Sequence, residues 1–384
     1  MRIARRAITI ATLGLLLGLA ATAIAQRAAG PPATAAASPA GAASPANASA
    51  RIVSAAQAVM TSLDAAGRAK VQFPFDGPQK ARWSNLPNGI FPRQGLRLGD
   101  LTPPQHAAVM TLLAAALSQN GYRKVTEIMR GDEVLKTTDG GRGPRGGAPG
   151  GGAEPGARGG RGRPGGPGAG PGGGPNFGQD EYFLAFLGTP STTAPWMLQF
   201  GGHHLAINLT LAGSQASMAP SLPAAQPATY TFEGRQIRPL GQERDKSLAL
   251  VNALDATQRS QAILTYRVAD LVLGAGQDGR VIQPEGIRAS ALSPAQQTML
   301  MDIVREWAGI MNDAFAEPRL AELRARLPET FFAWSGPTTE NSPAYFRIQG
   351  PALVIEYAPQ GSLDHIHTIY RDPTNDYGAK FVAK

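Results

Sequence analysis

The 384-residue sequence contains no cysteine. That absence excludes disulfides, thiolate metal ligands, iron–sulfur clusters and cysteine nucleophiles together. Histidine is also scarce, with five in the chain: His106, His203, His204, His365 and His367. No glycine-rich phosphate loop, dinucleotide fingerprint or Gly-x-Ser-x-Gly elbow occurs, so no nucleotide cofactor is expected and no serine triad can be defended. Long apolar runs are missing outside the first 25 residues. A balanced charge is missing too, since the net value is +8. Its location removes its meaning. Arg2, Arg5 and Arg6 supply three charges, and Arg142, Arg145, Arg158, Arg161 and Arg163 outnumber Glu154 in a Gly-rich stretch. The remainder is close to neutral, so charge gives no reason to expect nucleic acid as a partner.

Residues 1–25 join an Arg-rich start to the run ATLGLLLGLAATAIA and end on a small-x-small site before Gln26. This is the pattern of a secretory signal peptide. The run is shorter than the roughly 20 residues a membrane span needs. The expectation is export to the periplasm or beyond, with no transmembrane span in the mature form. Residues 26–49 are rich in Ala, Pro and Ser without periodicity and read as a flexible linker. Residues 140–175 are almost entirely Gly, Pro, Arg and Ala and cannot bury enough apolar surface to order themselves. They read as a disordered insertion within one domain spanning 51–384.

Three helix starts share one construction. Thr102, Ser293 and Asp255 each stand three residues before a glutamine, and Pro103 and Pro294 open two of the helices. This is the capping box, in which side chains satisfy first-turn amides. The first of these helices is expected to end at Gly121, and another helix to span Tyr122 to Leu135. After the insertion the period changes from 3.6 to 2. EYFLAFLG, WMLQFGGHHLAINLTLAG, TFFAWSG and the run Ala344 to Asp372 read as strands joined by short turns. The fold class expected is α+β: one domain with a mostly antiparallel sheet and a packed helical layer. No repeat is evident beyond the shared helix starts.

Four of the five histidines fall in two of these strand-like segments. His365 and His367 alternate on one strand, so they share a face about 6.6 Å apart. On the neighbouring strands the same alternation groups Arg347 and Glu356 with them. In GGHHLAINL, period two places His204 with Ala206 and Asn208, and His203 with the apolar Leu205 and Ile207. His204 is therefore the better candidate for the polar face, although Gly201 and Gly202 can break the alternation. Imidazoles plus a carboxylate suit zinc, iron, copper or nickel. His203, His204, His365 and His367 are the metal candidates, with Glu356 and Arg347 as candidates to act on a substrate. The bland alternative makes Glu356 and Arg347 a cross-strand ion pair and the histidines structural.

Across most of residues 51–384 the chain resembles a largely bacterial family, catalogued as domain of unknown function 3500. The residues that carry the resemblance include RWSNLP, RQGLRLGDLTPPQ, YFLAFLGTPSTTAPWMLQFGGHHLAINLTL, FFAWSG and RIQGPALVIEYAPQGSLDHIHTIYRDPTNDYG. The resemblance implies an acidic or amide-rich turn before the His-x-His, which Asp364 supplies, and it implies no activity. Two readings follow. One is an exported metal-dependent enzyme, hydrolytic or oxidative, acting on a small-molecule or polymer-derived substrate. The other is a non-catalytic periplasmic binding or structural module.

Overall fold

A computed structural model describes residues 44–138 and 175–382. The expected signal peptide, the linker up to residue 43, and the Gly/Arg/Pro insertion except Pro175 lie outside the described residues.

The first half of the chain opens with α1 (Pro45–Ser62) and α2 (Ala65–Val71), then the two-residue strands β1 (Gln72–Phe73) and β2 (Leu96–Arg97). Helices α3 (Pro103–Ala116) and α4 (Gln119–Thr138) follow. A meander comes next: β3 (Phe183–Leu187), β4 (Trp196–Gly202), β5 (Leu205–Ala212) and β6 (Gln215–Ser217). The chain continues through β7 (Leu222–Pro223) and the hairpin β8 (Tyr230–Phe232) and β9 (Arg235–Ile237). In the second half come α5 (Gly241–Ala253), α6 (Ala256–Ala262), β10 (Ile287–Arg288), α7 (Pro294–Ala308) and α8 (Asp313–Ala325). It closes with β11 (Phe331–Ser335), β12 (Tyr345–Gly350), β13 (Leu353–Pro359) and β14 (Ile366–Arg371). The class is α+β, with mostly antiparallel sheets.

The element order repeats. Each half runs through a helix pair, a short edge segment, a second helix pair and a four-strand meander. The pairings repeat as well. Gln72 pairs parallel with Phe186, and Ile263 pairs parallel with Trp334. Leu96 pairs antiparallel with Leu184, and Ile287 with Phe332. The sequence shows this duplication in the helix starts GLRLGDLTPPQ and GIRASALSPAQ and faintly in the strands FLAFLG and FFAWSG; elsewhere each half fills the same positions with different apolar residues. The two α–α junctions meet reciprocally: the Ser118 amide donates to Ile310 O at 3.0 Å, and Asn312 to Ala116 O at 2.9 Å. Gly121 lies inside α4 rather than ending a helix. A Cβ there would stand 2.1 Å from Ile310 O, so the close junction requires its absence.

All three capping boxes form, with the glutamine oxygens accepting from the amides of Thr102 at 2.9 Å, Asp255 at 3.1 Å and Ser293 at 2.8 Å. Helix α1 starts at Pro45, inside the stretch read as linker and six residues before the expected domain start at 51, because Ser44 Oγ accepts from the Asn47 amide at 3.3 Å and caps it. Two cores form, and Ile310, Met311 and Phe315 of the second half reach into the first of them. In the first, Ile52, Leu112 and Val125 from α1, α3 and α4 meet Phe186, Leu198 and Ile207. In the second, Leu250, Ile303 and Trp307 from α5 and α7 meet Phe332, Phe346 and Ile355. Each such side chain contributes roughly 1.5–3 kcal/mol on burial. Among the described residues no helix is long and apolar enough to cross a membrane.

Candidate metal centre at the seam of the two halves

The segment after β6 joins the halves. Through β7 it pairs with the start of β5, Leu205 with Pro223 and Ala206 with Leu222. On its other side it pairs with β14, Ser221 with Tyr370 and Ala225 with Ile366, through hydrogen bonds of 2.8–2.9 Å. The start of β5 and the start of β14 therefore end up side by side. His204 stands just before the first and His365 just before the second.

The strand expected to carry His203 and His204 is broken there. The two histidines form the tight turn between β4 and β5, and His204 adopts φ +60°. A non-glycine residue in that region costs on the order of 1 kcal/mol and is a pointer to function. Gly202 precedes the turn because a Cβ would stand 2.8 Å from the Tyr182 ring. Tyr182 Oη in turn donates to His203 O at 2.8 Å. The His204 amide donates to Asn85 O at 3.2 Å, and His204 O accepts from the Ala224 amide at 2.8 Å. The turn is held on every side.

Three imidazoles converge. His204 Nε2 lies 2.9 Å from His365 Nε2, which lies 3.0 Å from His367 Nε2. The ligating atoms of all three lie within 4.8 Å of one another, and they form a group that could hold a metal ion. A tetrahedral ion with metal–nitrogen bonds of ~2.0–2.1 Å sets its ligand nitrogens about 3.3 Å apart. One proton on His365 Nε2 cannot serve both short contacts well, whereas one cation satisfies all three lone pairs. Burial, then the neighbouring His203, His367 and His365, hold His204 well below the ordinary imidazole range. Burial, then His367, brings His365 down to about 4. Both are neutral near pH 7, the form that binds metal.

His367 is oriented from behind. Its Nδ1 lies 3.2 Å from Asp270 Oδ1, and its Nε2 lies 3.1 Å from Asn85 Nδ2. A proton on Nδ1 toward the carboxylate leaves the Nε2 lone pair facing the site, the arrangement that tunes histidine ligands. Burial pushes the Asp270 carboxyl up, but hydrogen bonds from His367, the Leu271 amide and Gln360 outweigh it and hold it below the usual range.

His203 does not join the three. Its Nδ1 lies 2.6 Å from Asp132 Oδ1 of α4, and Phe177 packs on its ring at 4.9 Å. It touches the site through its ring, whose centroid is 3.6 Å from that of His204.

Glu356 and Arg347 are register partners across β12 and β13. Neither reaches the histidines. Glu356 is fully buried and accepts from the Val272 amide at 3.0 Å, the Leu273 amide at 2.7 Å and Tyr345 Oη at 2.5 Å. Arg347 pairs with Glu285 at 2.7 Å. Both therefore grip the loop 264–286 that covers this face of the sheet, as does Arg371, which donates to Leu273 O and Gly274 O. That loop delivers Asp270, two residues before Val272. Period two correctly grouped these side chains, but it contains no information on what covers them.

Asn85, Asp270 and Asp132 stand outside the histidine pattern of the sequence. Asn85 lies in the quoted RWSNLP; the other two carry no local signal, because each acts across a long loop or from a helix of the other layer. The family profile described as "Protein of unknown function (DUF3500)" matches residues 45–379. No curated protein and no solved structure matches the chain. The match takes in the seam and all three histidines, and the chain belongs to the DUF3500 family.

Proposed function

We propose that this protein is an exported, zinc-dependent hydrolytic enzyme whose ion is held by His204, His365 and His367. The observation that carries the reading is the convergence of three Nε2 atoms, two pairs at 2.9 and 3.0 Å, on a half-buried spot. Three protein donors leave one position open, as in catalytic zinc sites, whereas structural sites are closed by four. His365 is partly exposed, which gives that position access to solvent. A divalent ion among neutral ligands supplies Lewis acidity and brings the pKa of a water in its open position to about 7. The absence of a carboxylate among the three donors favours zinc over iron, whose oxygenase sites take two histidines and a carboxylate. Asp270 works on His367 from the far side instead. The substrate class remains a small organic or polymer-derived molecule with a bond open to water attack. Export rests on the first 25 residues, with cleavage before Gln26.

Elemental analysis of protein purified without added metal tests the reading. About one zinc per chain is the expected result, lost in the double variant His365→Ala/His367→Ala. A chain free of metal and not stabilised by zinc, copper, iron or nickel would sink it. Mass spectrometry of the exported form should give Gln26 as the first residue.

A further inference from the structure

Asn85 is clamped more firmly than a loop residue needs to be. Its carbonyl accepts from the amide of the turn residue His204 at 3.2 Å. The carbonyls on either side of it, Ser84 O and Leu86 O, both accept from Arg93 Nη2 at 2.7 Å, and the same guanidinium nitrogen donates to Gly202 O at 2.7 Å. One half-buried cation thus ties the Asn85 loop to the turn that carries His204. Burial brings Arg93 down to about 10, still a cation near neutral pH, and its Nη2 donors are spent on these three carbonyls.

The Asn85 side chain lies against His367. Nδ2 lies 3.1 Å from His367 Nε2 and 3.5 Å from Nδ1. His367 Nε2 is also the atom whose lone pair an ion would take. Near-equal distances to both ring nitrogens place Nδ2 over the ring face beside Nε2, off the in-plane lone pair, so an ion taken by that lone pair leaves the carboxamide in place. Its N–H then has one new acceptor within the same reach: whatever atom occupies the open position beside His367.

We propose that Asn85 is a catalytic residue, a neutral hydrogen-bond donor to the substrate oxygen at that open position; this rests on the three-histidine reading above. A neutral amide donor favours an oxygen on which negative charge develops, the demand of acyl transfer to water. The substrate class it fits is a carboxylic ester or amide, polarised at its carbonyl. An obligate dianion such as a phosphate monoester would call for a cation that donates to it, and Arg93 Nη2 donates to carbonyls instead.

The full-length chain loaded with cobalt(II) and titrated with azide tests this, with the visible cobalt absorption as readout. Azide stands in for the developing anion. In Asn85→Ala and the near-isosteric Asn85→Leu the azide dissociation constant should rise about tenfold or more, as for a lost hydrogen bond to a charged group. Cobalt content should stay at the wild-type value in both. Unchanged azide affinity in both variants overturns the proposal, as does loss of cobalt from both, which would make Asn85 a support of the ligands only. A wild type that takes up no cobalt overturns the metal reading and this one together, so the two failures are distinguishable.

Discussion

At the scale of single residues, His204 combines a strained backbone with a ligand nitrogen. Its φ of +60° is a conformation that glycine enters freely. Replacing it separates the two properties. His204→Gly and His204→Ala should both abolish zinc binding. In metal-free protein, however, the glycine variant should be more stable than the alanine variant by ~1 kcal/mol, because only alanine retains the strain. Denaturant titration of the two proteins checks this, and equal midpoints would mean that the turn carries no strain. The same scale shows what period two could read. It put His365 with His367 on one side of a strand; their imidazoles do meet, although the strand begins only at Ile366. It put Glu356 and Arg347 on the same sheet face, and they lie there. It could not show that Glu356 spends its oxygens on the Val272 and Leu273 amides, since those lie more than eighty residues away.

At the scale of elements, three helices from both halves are fastened by one buried charge cluster. Lys124 of α4 lies 2.5 Å from Glu243 of α5 and 3.1 Å from Glu306 of α7, and Lys246 of α5 lies 2.5 Å from Glu306. Glu243 is fully buried. Removing the cation by Lys124→Met would leave that carboxylate uncompensated, a change that typically costs about 3–5 kcal/mol. The cluster also sets an acid limit. Burial pushes Glu306 up, but Lys124 and Lys246 outweigh it and hold its pKa below the ordinary 4.5. The folded state therefore binds fewer protons at this site than the unfolded chain. Its contribution is present above the unfolded value and disappears as pH falls through the lower folded one. Stability measured against pH should fall on the acid side of about 4.5, and Glu306→Gln should flatten that slope. An unchanged slope would assign acid unfolding to other groups. Nothing in the helix sequences announces this cluster, because amphipathic periodicity separates apolar from polar faces without saying which polar faces meet.

At the scale of the whole molecule, the ligands come from both halves: His204 from the first, His365 and His367 from the second. A bound ion therefore holds the two together, and its binding energy adds to global rather than local stability. Zinc at a hundredfold excess over its dissociation constant should stabilise by ~2.7 kcal/mol and raise the midpoint of thermal unfolding as a whole. The shift should disappear in His365→Ala/His367→Ala. A shift confined to one of two resolved transitions would show instead that the ion belongs to one half.

Sequence by itself determined the local facts. The capping boxes, the 3.6-residue and two-residue periods, the α+β class and the pairing of His365 with His367 all follow from interactions within a few residues, and local chemistry decides them. The duplication stayed mostly hidden because a core position specifies apolar character and volume, which many sequences satisfy. Tertiary structure alone decided that Ser221–Ala225 would zip β5 to β14, that the His203–His204 pair would be a turn rather than a strand, and that Asn85 and Asp270 would reach His367. Each of these rests on pairing between segments separated by scores of residues, where backbone hydrogen bonds and loop packing choose the partner and side-chain pattern is silent.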